Sequence, residues 1–157
     1  MPKITPFLWF DKEAEQAAKY YTSIFKNSKI LDIARHTESS PGKKGSVLTV
    51  KFRLKDQVFT ALNGGPAFKF NNAVSFVVHC KTQKEVDYYW RRLSAGGKEI
   101  QCGWLTDKFG LSWQVVPDAL MELLTHRDRA KAERVMAAMM RMVKLDIAKL
   151  RAAAAAK

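Results

Sequence analysis

The pattern of apolar residues constrains the fold of this chain most, because it predicts the same order of elements twice. The first unit begins with an apolar strand at Ile4–Phe10, followed by a helix that the side chain of Asp11 can cap. Apolar residues then recur at helical spacing, at Ala14, Ala17, Ala18, Tyr21, Ile24 and Phe25. Three further runs predict strands at Lys29–His36, Ser46–Leu54 and Gln57–Leu62. The first 66 residues are therefore expected to fold in the order β-α-β-β-β.

The second unit repeats this order from Ala73–Cys80, which predicts a strand. Thr82 is a suitable N-cap for a helix whose apolar stripe is Val86, Tyr89, Trp90 and Leu93. Short strands are predicted at Lys98–Cys102, Trp104–Asp107 and Leu111–Pro117. An offset of about 69 residues pairs Phe7 with Phe76 and Trp9 with Val78, which indicates a degenerate internal duplication.

The region after Pro117 is predicted to be helical. A short helix is expected at Ala119–Thr125, and Asp128 can cap a longer one. Apolar residues fill one side of the longer helix, at Ala132, Val135, Met136, Met139, Met140 and Val143. Basic residues fill the other side, at Arg127, Lys131, Arg134 and Arg141. This stripe is either a solvated helix face or a surface for phosphates or a membrane, although no Trp or Phe is available as a membrane anchor. The run Ala152–Ala156 is expected to be frayed.

Composition and charge narrow the class of protein. Lys and Arg number 27 against 15 Asp and Glu, which gives a net charge of +12. The two cysteines, Cys80 and Cys102, are too few for a disulfide framework and form no Cys-x-x-Cys pair. No apolar stretch is long enough for a transmembrane helix, and the first residues do not resemble a secretory signal. We therefore expect a cytoplasmic protein that forms a single domain over residues 1–157.

Common catalytic and cofactor motifs are missing. The sequence contains no Gly-x-Gly-x-x-Gly, no Gly-Lys-Ser/Thr and no Gly-x-Ser-x-Gly. A Rossmann-type nucleotide cofactor is therefore disfavoured, and so is the common mode of S-adenosylmethionine binding. The histidines at 36, 79 and 126 lie in unrelated contexts. No catalytic residue is assigned, and no cofactor is expected.

Several strings together resemble the PhnB-like branch of the vicinal oxygen chelate superfamily, which includes glyoxalases, bleomycin-resistance proteins and extradiol dioxygenases. The strings lie at residues 4–11, 20–21, 24–30, 59–66, 101–114 and 135–147. The resemblance implies an α+β fold of two βαβββ modules whose curved sheets form a cleft, usually within a homodimer. The modules would span residues 1–66 and 67–117, with C-terminal helices over residues 118–157. Members of this branch often carry a demethylubiquinone methyltransferase name, but no motif in this sequence supports methyl transfer.

The resemblance also implies where a metal ion would be bound in metal-dependent relatives. Their four ligands, which are His, Glu or Gln, map near Thr5, on or beside Thr60, on Ser75 and on Gln114. Residues 3–10 contain no His, Asp, Glu or Gln. A single neutral amide does not hold Zn, Ni or Fe in competition with water. We therefore predict that no catalytic metal is bound.

What the resemblance leaves is a cleft with neutral polar and aromatic groups. The predicted ligand-binding residues are Thr60, Asn63, Ser75, Cys102, Trp104, Ser112 and Gln114. Four aromatic residues would line the walls or simply pack, namely Trp9, Phe76, Trp104 and Trp113. Cys102 is the one candidate nucleophile, although a reduced, structural cysteine is the favoured interpretation.

Three functions are compatible with these residues. The favoured one is a homodimeric protein that binds an aromatic or amphipathic small molecule without a metal. The second is a metal-assisted lyase or isomerase, or a transferase as the family name suggests, which would need a ligand such as His79 or one from a partner subunit. The third, less favoured, is a nucleic-acid-binding module that uses the basic C-terminal stripe. Membrane binding is not expected.

Overall fold

The computed structural model describes residues 2–157. It divides into two compact units, one that extends to Phe70 and one that runs from Asn71 to Lys157. Each unit contains a four-stranded mixed sheet. The α+β class is therefore confirmed, and no helix within residues 2–157 is long and apolar enough to cross a membrane.

The first unit has the predicted order of one strand, one helix and three strands. Its elements are β1 (Phe7–Phe10), α1 (Ala14–Ile24), β2 (Ser28–Arg35), β3 (Val47–Leu54) and β4 (Gln57–Asn63). The sheet order is β1-β4-β3-β2, with β1 parallel to β4 and the other pairs antiparallel. The core lies between α1 and the sheet, where Phe52 stacks on Tyr21 and Phe59 at centroid distances of 6.0 and 5.3 Å.

The start of α1 corrects the expectation that Asp11 caps it. Glu13 occupies the N-cap position, and its side chain makes no capping hydrogen bond. Instead, Oδ1 of Asn63 accepts the N–H of Ala14 at 2.8 Å, and Nδ2 of Asn63 donates to the carbonyl of Val47 at 3.1 Å. A residue at the end of β4 therefore satisfies a free N–H of this helix and ties it to β3.

The second unit repeats the order with shorter strands. Its elements are β5 (Phe76–Cys80), α2 (Gln83–Ser94), β6 (Lys98–Glu99), β7 (Trp104–Thr106) and β8 (Ser112–Pro117). The sheet order is β5-β8-β7-β6, again with the first strand parallel to its neighbour. The predicted cap of α2 is confirmed, since Oγ1 of Thr82 accepts the N–H of Glu85 at 3.2 Å. The whole predicted stripe of this helix is buried.

The two units repeat the same order of elements, as predicted, but the predicted offset of about 69 residues is wrong for their first strands. Phe7 lies opposite Thr60 on the last strand of the first sheet, and Val77 lies opposite Gln114 on the last strand of the second. Phe7 and Val77 are also both exposed. The strands therefore match at an offset of 70, whereas the buried helix positions Ala17 and Val86 match at 69. One residue fewer between strand and helix in the second unit accounts for the difference.

The C-terminal region forms three helices that pack on the end of the second sheet. They are α3 (Asp118–Leu124), α4 (Arg129–Met139) and α5 (Ile147–Ala155). Their shared core consists of Val116, Leu120, Val135, Leu145, Leu150 and Ala154. As predicted, Asp128 caps α4, and its bonds from the N–H groups of Lys131 and Ala130 lower the pKa of its carboxyl group.

Two expectations about this region are wrong. Helix α4 ends at Met139, so Met140, Arg141 and Val143 do not continue its predicted apolar and basic sides. The C-terminal alanines are helical rather than frayed. Arg134 accounts for this order, because Nε and Nη2 donate to the carbonyls of Ala153 and Ala154 at 3.1 and 2.9 Å. The carbonyl of Ala154 is thereby satisfied, and the carbonyl of Ala153, which also accepts the N–H of Ala156, gains a second donor.

Candidate functional site

Strand β8 separates two sets of side chains in the second unit. Trp113 and Val115 point toward the core that α2 covers, whereas Ser112, Gln114 and Val116 point to the opposite face. We call this opposite face the Gln114 face. Val116 is buried against the C-terminal helices, so those helices bound the face at one end.

Gln114 and Ser75 are brought together on this face. Nε2 of Gln114 donates to Oγ of Ser75 at 2.9 Å, with both groups partly buried. Because Ser75 accepts this bond, its own hydroxyl proton stays available to a further acceptor, and Oε1 of Gln114 stays available to a donor. The two residues that the family resemblance placed at ligand positions of the second module thus form one polar pair.

Ser112 is the second polar group of the Gln114 face. The residue is completely buried, and its Oγ has no hydrogen-bond partner in the described part of the chain. Ser112 lies opposite Thr106 on β7 and two residues before Gln114. Buried hydroxyl groups in native proteins are nearly always hydrogen-bonded, so this one requires an explanation.

Trp104 supplies the aromatic surface of the Gln114 face. It lies directly opposite Gln114 in the β7–β8 ladder and is half-buried. Val77 lies opposite Gln114 on the other side and is 42% exposed. The face therefore combines an indole and an apolar side chain with the polar pair.

Two of the four predicted aromatic residues have a packing role. Trp113 is buried on the α2 side, where Phe76 contacts it at a centroid distance of 5.8 Å. Trp9 lies on the face of its own sheet away from α1, and its Nε1 donates to the carbonyl of Gly65 at 2.9 Å. Of the four, only Trp104 belongs to the Gln114 face.

Cys102 lies beside the C-terminal region. It has a positive φ of 62°, and its backbone N–H donates to the carbonyl of Met142 at 2.8 Å. Its Sγ is 3.8 Å from Sδ of Met140. The adjacent Gly103 leaves no room for a side chain, since an added Cβ would lie 2.9 Å from Leu145. Cys102 therefore lies just before β7, where the chain is hydrogen-bonded to the segment between α4 and α5.

The remaining predicted residues, Thr60 and Asn63, belong to the first unit. Thr60 lies between Phe7 and Lys51 in the sheet, on the face away from α1. Asn63 lies at the end of β4, where both ends of its amide hold backbone groups of α1 and β3. Asn63 also lines a surface groove of about 570 Å³, together with Lys12, Glu15, Gln16, Lys19, His36, Ser46 and Val47.

The donor atoms of the Gln114 face do not fit a divalent metal ion. They are an amide oxygen and hydroxyl groups, all neutral and weak ligands for Zn, Ni or Fe. His79 lies on the same face, two residues after Val77 on β5 and opposite Val116, and could add one imidazole to this set of possible ligands. Within residues 2–157 no three His, Cys, Asp or Glu side chains are grouped as metal ligands would be.

Sequence reasoning missed two features. Asp107 is 3% exposed, and its carboxylate accepts N–H groups of Phe109, Leu111 and Trp113. Arg53, on β3, has a buried Nε without a hydrogen-bond partner among the described residues. The position of Arg53 two residues after Lys51, on one face of β3, is visible in the sequence, whereas the missing hydrogen-bond partner of its Nε is not.

Comparison with known proteins identifies the family. Residues 2–116 match the family described as 3-demethylubiquinone-9 3-methyltransferase. The chain belongs to this family. A PhnB protein from Bacillus cereus, described with the same methyltransferase name, is 37% identical, with a TM-score of 0.68 over 74% of this chain and 99% of its own. The match to the family ends before α3, so the three C-terminal helices follow it.

More distant members of the fold are recognised by structure alone. A Pseudomonas aeruginosa protein is 18% identical, with a TM-score of 0.61 over 74% of this chain and 98% of its own. The fosfomycin resistance protein FosX from Listeria monocytogenes is 14% identical, with a TM-score of 0.52 over 78% of this chain and 97% of its own. No curated protein sequence matches the chain. The predicted PhnB-like family and glyoxalase/bleomycin resistance fold are confirmed.

Proposed function

We propose that this PhnB-like protein binds a small aromatic or amphipathic organic molecule on the Gln114 face, without a resident metal ion. The observation that carries the proposal is the buried, unpartnered hydroxyl of Ser112. A buried polar group without a partner is unfavourable, and a bound molecule with a donor or acceptor at that point would remove the cost.

The groups around Ser112 define the chemistry of the ligand. Toward a ligand, Oε1 of Gln114 can accept a hydrogen bond, the hydroxyl of Ser75 can donate one, and the indole N–H of Trp104 can donate another. The ring of Trp104 offers a flat apolar surface for stacking. A ligand with an aromatic or apolar body and one or two neutral polar groups matches this set.

Binding is favoured over methyl transfer or metal-assisted turnover because of the protonation chemistry of the site. Hydroxyl and amide groups do not take up a proton near neutral pH, so Ser75, Ser112 and Gln114 supply no general base. Among these three residues the methyltransferase name of the family therefore finds no corresponding base. His79 lies on the same face, but it is exposed and lies opposite Val116, beyond the polar pair.

The test is a ligand screen with a matched control. Wild-type protein is screened against aromatic and amphipathic compounds by thermal shift, and hits are measured by calorimetry with Gln114→Ala and Gln101→Ala. Gln101 is exposed in a bend of the same unit. We expect Gln114→Ala to weaken binding about tenfold or more, as for loss of a buried hydrogen bond, and Gln101→Ala to leave it unchanged. Equal affinity of the two variants for every hit would refute the assignment.

We also propose that the protein is a cytoplasmic homodimer. Several large apolar side chains of the C-terminal region are exposed by 39–55%, namely Met121, Met136, Met140 and Val143. An apolar surface of this kind favours burial against a second copy. Cys80 and Cys102 form no disulfide in the described structure, which suits a reducing compartment. Light scattering should return twice the monomer mass of 17.8 kDa, and a monomer would contradict the proposal.

A further inference from the structure

A surface groove of about 570 Å³ opens at one end of the first sheet, beside the start of α1. The ends of β1, β2 and β4 and the start of β3 meet at this end, because β3 is antiparallel to both of its neighbours and β1 is parallel to β4. Side chains from α1, from the β2–β3 loop and from Asn63 line the groove. We call it the Lys12 groove. Its volume falls within the range of about 300–1,000 Å³ that is typical of small-molecule sites.

Hydrogen bonds within the first unit hold the walls of the Lys12 groove in place. Both ends of the Asn63 amide are used, one by the N–H of Ala14 and the other by the carbonyl of Val47. On the loop side, the backbone N–H of His36 donates to the carbonyl of Ser46 at 2.9 Å. The groove is therefore formed before a ligand binds, which lowers the entropic cost of binding.

The loop that joins β2 to β3 packs closely on the imidazole of His36. Gly42 lies against this ring, and any Cβ at position 42 would collide with it. Nδ1 of His36 lies 3.0 Å from Oγ of Ser40, which also accepts the N–H of Thr37. The imidazole therefore has a fixed place in the wall of the groove.

Positive charge exceeds negative charge among the side chains of the Lys12 groove. Nζ of Lys19 forms an ion pair with Oε1 of Glu15 at 3.0 Å, so these two charges cancel. Lys12 forms no ion pair within residues 2–157, and its ammonium group is left without a counter-charge. A lysine ammonium is a compact point charge that binds phosphate groups. The groove therefore suits an anionic group placed next to Lys12.

The remaining side chains of the groove are nearly all polar. Gln16 offers an amide, Ser46 a hydroxyl and Glu15 a carboxylate, whereas Val47 is the single apolar residue of the described lining. These groups form hydrogen bonds with hydroxyl groups of a ligand. We propose that the Lys12 groove binds a small, hydroxyl-rich phosphate monoester of the sugar phosphate class. This inference goes beyond the proposed function and does not depend on the Gln114 face, since all residues of the groove belong to the first unit.

The test is calorimetric titration of the full chain with glucose 6-phosphate, with inorganic phosphate and gluconate for comparison. Lys12→Gln is compared with Lys26→Gln, which removes the same charge from an exposed position outside the groove. We expect Lys12→Gln to weaken binding of glucose 6-phosphate about fivefold or more, and Lys26→Gln to change it by less than about twofold. Lys12→Arg keeps the charge and should retain the affinity within about threefold.

A further variant tests the location by shape rather than by charge. Gln16→Trp places an indole in the groove from an exposed position of α1, and should abolish binding of glucose 6-phosphate. Gln57→Trp, at an exposed position at the start of β4 and so at the opposite end of the sheet, is the control and should bind as wild type does. Circular dichroism verifies the folding of each variant. Gln114→Ala should also leave this binding unchanged, which separates the groove from the Gln114 face.

Five outcomes would overturn the proposal. Equal losses in Lys12→Gln and Lys26→Gln would indicate diffuse attraction to a chain of net charge +12. Inorganic phosphate that binds as tightly as glucose 6-phosphate would show that the hydroxyl groups contribute nothing. Gluconate that binds more tightly would show a preference for a carboxylate over a phosphate. The other two are unchanged binding in Gln16→Trp and the absence of binding of glucose 6-phosphate to wild type.

Discussion

Trp113 and Asp107 are joined inside the second unit by a hydrogen bond of 2.9 Å from the indole Nε1 to Oδ2, with each residue only 3% exposed. Oδ1 of the same carboxylate accepts the N–H groups of Phe109 and Leu111, at 2.8 and 3.1 Å. The buried carboxyl group is therefore surrounded by donors that also fix the turn between β7 and β8. That turn sets the register in which Trp104 lies opposite Gln114.

Replacing Asp107 is expected to destabilise the second unit strongly. Asp107→Ala leaves three N–H groups without their acceptor and should lower the free energy of unfolding by about 2–4 kcal/mol. Asp56→Ala, in the exposed β3–β4 turn, is the control and should cost less than about 0.5 kcal/mol. Urea unfolding measures both, and equal midpoints for the two variants would show that the buried carboxylate has no special role.

Ser112→Ala should separate stability from binding. The substitution removes a buried hydroxyl that has no partner, so the free energy of unfolding should stay the same or rise by up to about 1 kcal/mol. Affinity for ligands of the Gln114 face should fall, because the same hydroxyl is assigned to the ligand. Thermal unfolding and calorimetry measure the two effects. A clear loss of stability would mean that Ser112 has a partner within the folded protein.

The contact between α2 and the C-terminal loop should depend on pH. Hydrogen bonds from Lys144, at 2.8 Å, and from Gln83 lower the pKa of Asp87. A lowered folded-state pKa stabilises the fold above the unfolded-state value of about 3.9, and this contribution is lost as pH falls through the folded-state pKa. Both side chains are more than a third exposed, so the coupling at neutral pH should be at most about 1 kcal/mol.

A double-mutant cycle of Asp87→Asn and Lys144→Gln measures this coupling by urea unfolding at several pH values. The coupling free energy should be greatest at neutral pH and low salt, and should vanish when Asp87 is protonated. Coupling of the same size under acidic conditions would contradict the assignment of the pKa shift to this pair.

Arg134 is expected to hold the end of α5 in place. Arg134→Ala removes both side-chain donors to the carbonyls of Ala153 and Ala154, so the last turn of α5 should fray. Amide hydrogen exchange should become faster in the last turn of α5, while exchange in β3 stays as in wild type. Arg151→Ala, an exposed arginine on α5 itself, is the control. Unchanged protection in Arg134→Ala would show that α5 does not need these bonds.

Two of the three predicted helix caps were read correctly from the sequence, and contacts from distant parts of the chain were not. The caps by Thr82 and Asp128 act on N–H groups two or three residues away, within the reach of pattern analysis. The cap of α1 comes from Asn63, 49 residues beyond Ala14, and the contacts that order the last helix come from 19 and 20 residues away. Such contacts depend on the tertiary fold, which neither residue pattern nor propensity specifies.

The predicted site residues are likewise brought together only in part. The resemblance to PhnB-like proteins selected Ser75 and Gln114, and the structure places their side chains 2.9 Å apart. It also selected Thr60 and Asn63, of which Asn63 turns out to hold backbone groups of α1 and β3. The unpartnered Nε of Arg53 could not be foreseen, because hydrogen-bond satisfaction is a property of the folded surroundings rather than of the residue.

The central claim is that the Gln114 face holds an organic molecule rather than a metal ion, and a crystal structure of a complex tests it most directly. Crystals would be grown with the tightest compound from the ligand screen and with Ni²⁺ or Zn²⁺ present, and anomalous scattering would be recorded. The account predicts electron density for the compound stacked on Trp104 and hydrogen-bonded to Gln114 and Ser112, without an anomalous peak there. A strong anomalous peak coordinated by Gln114 would contradict it.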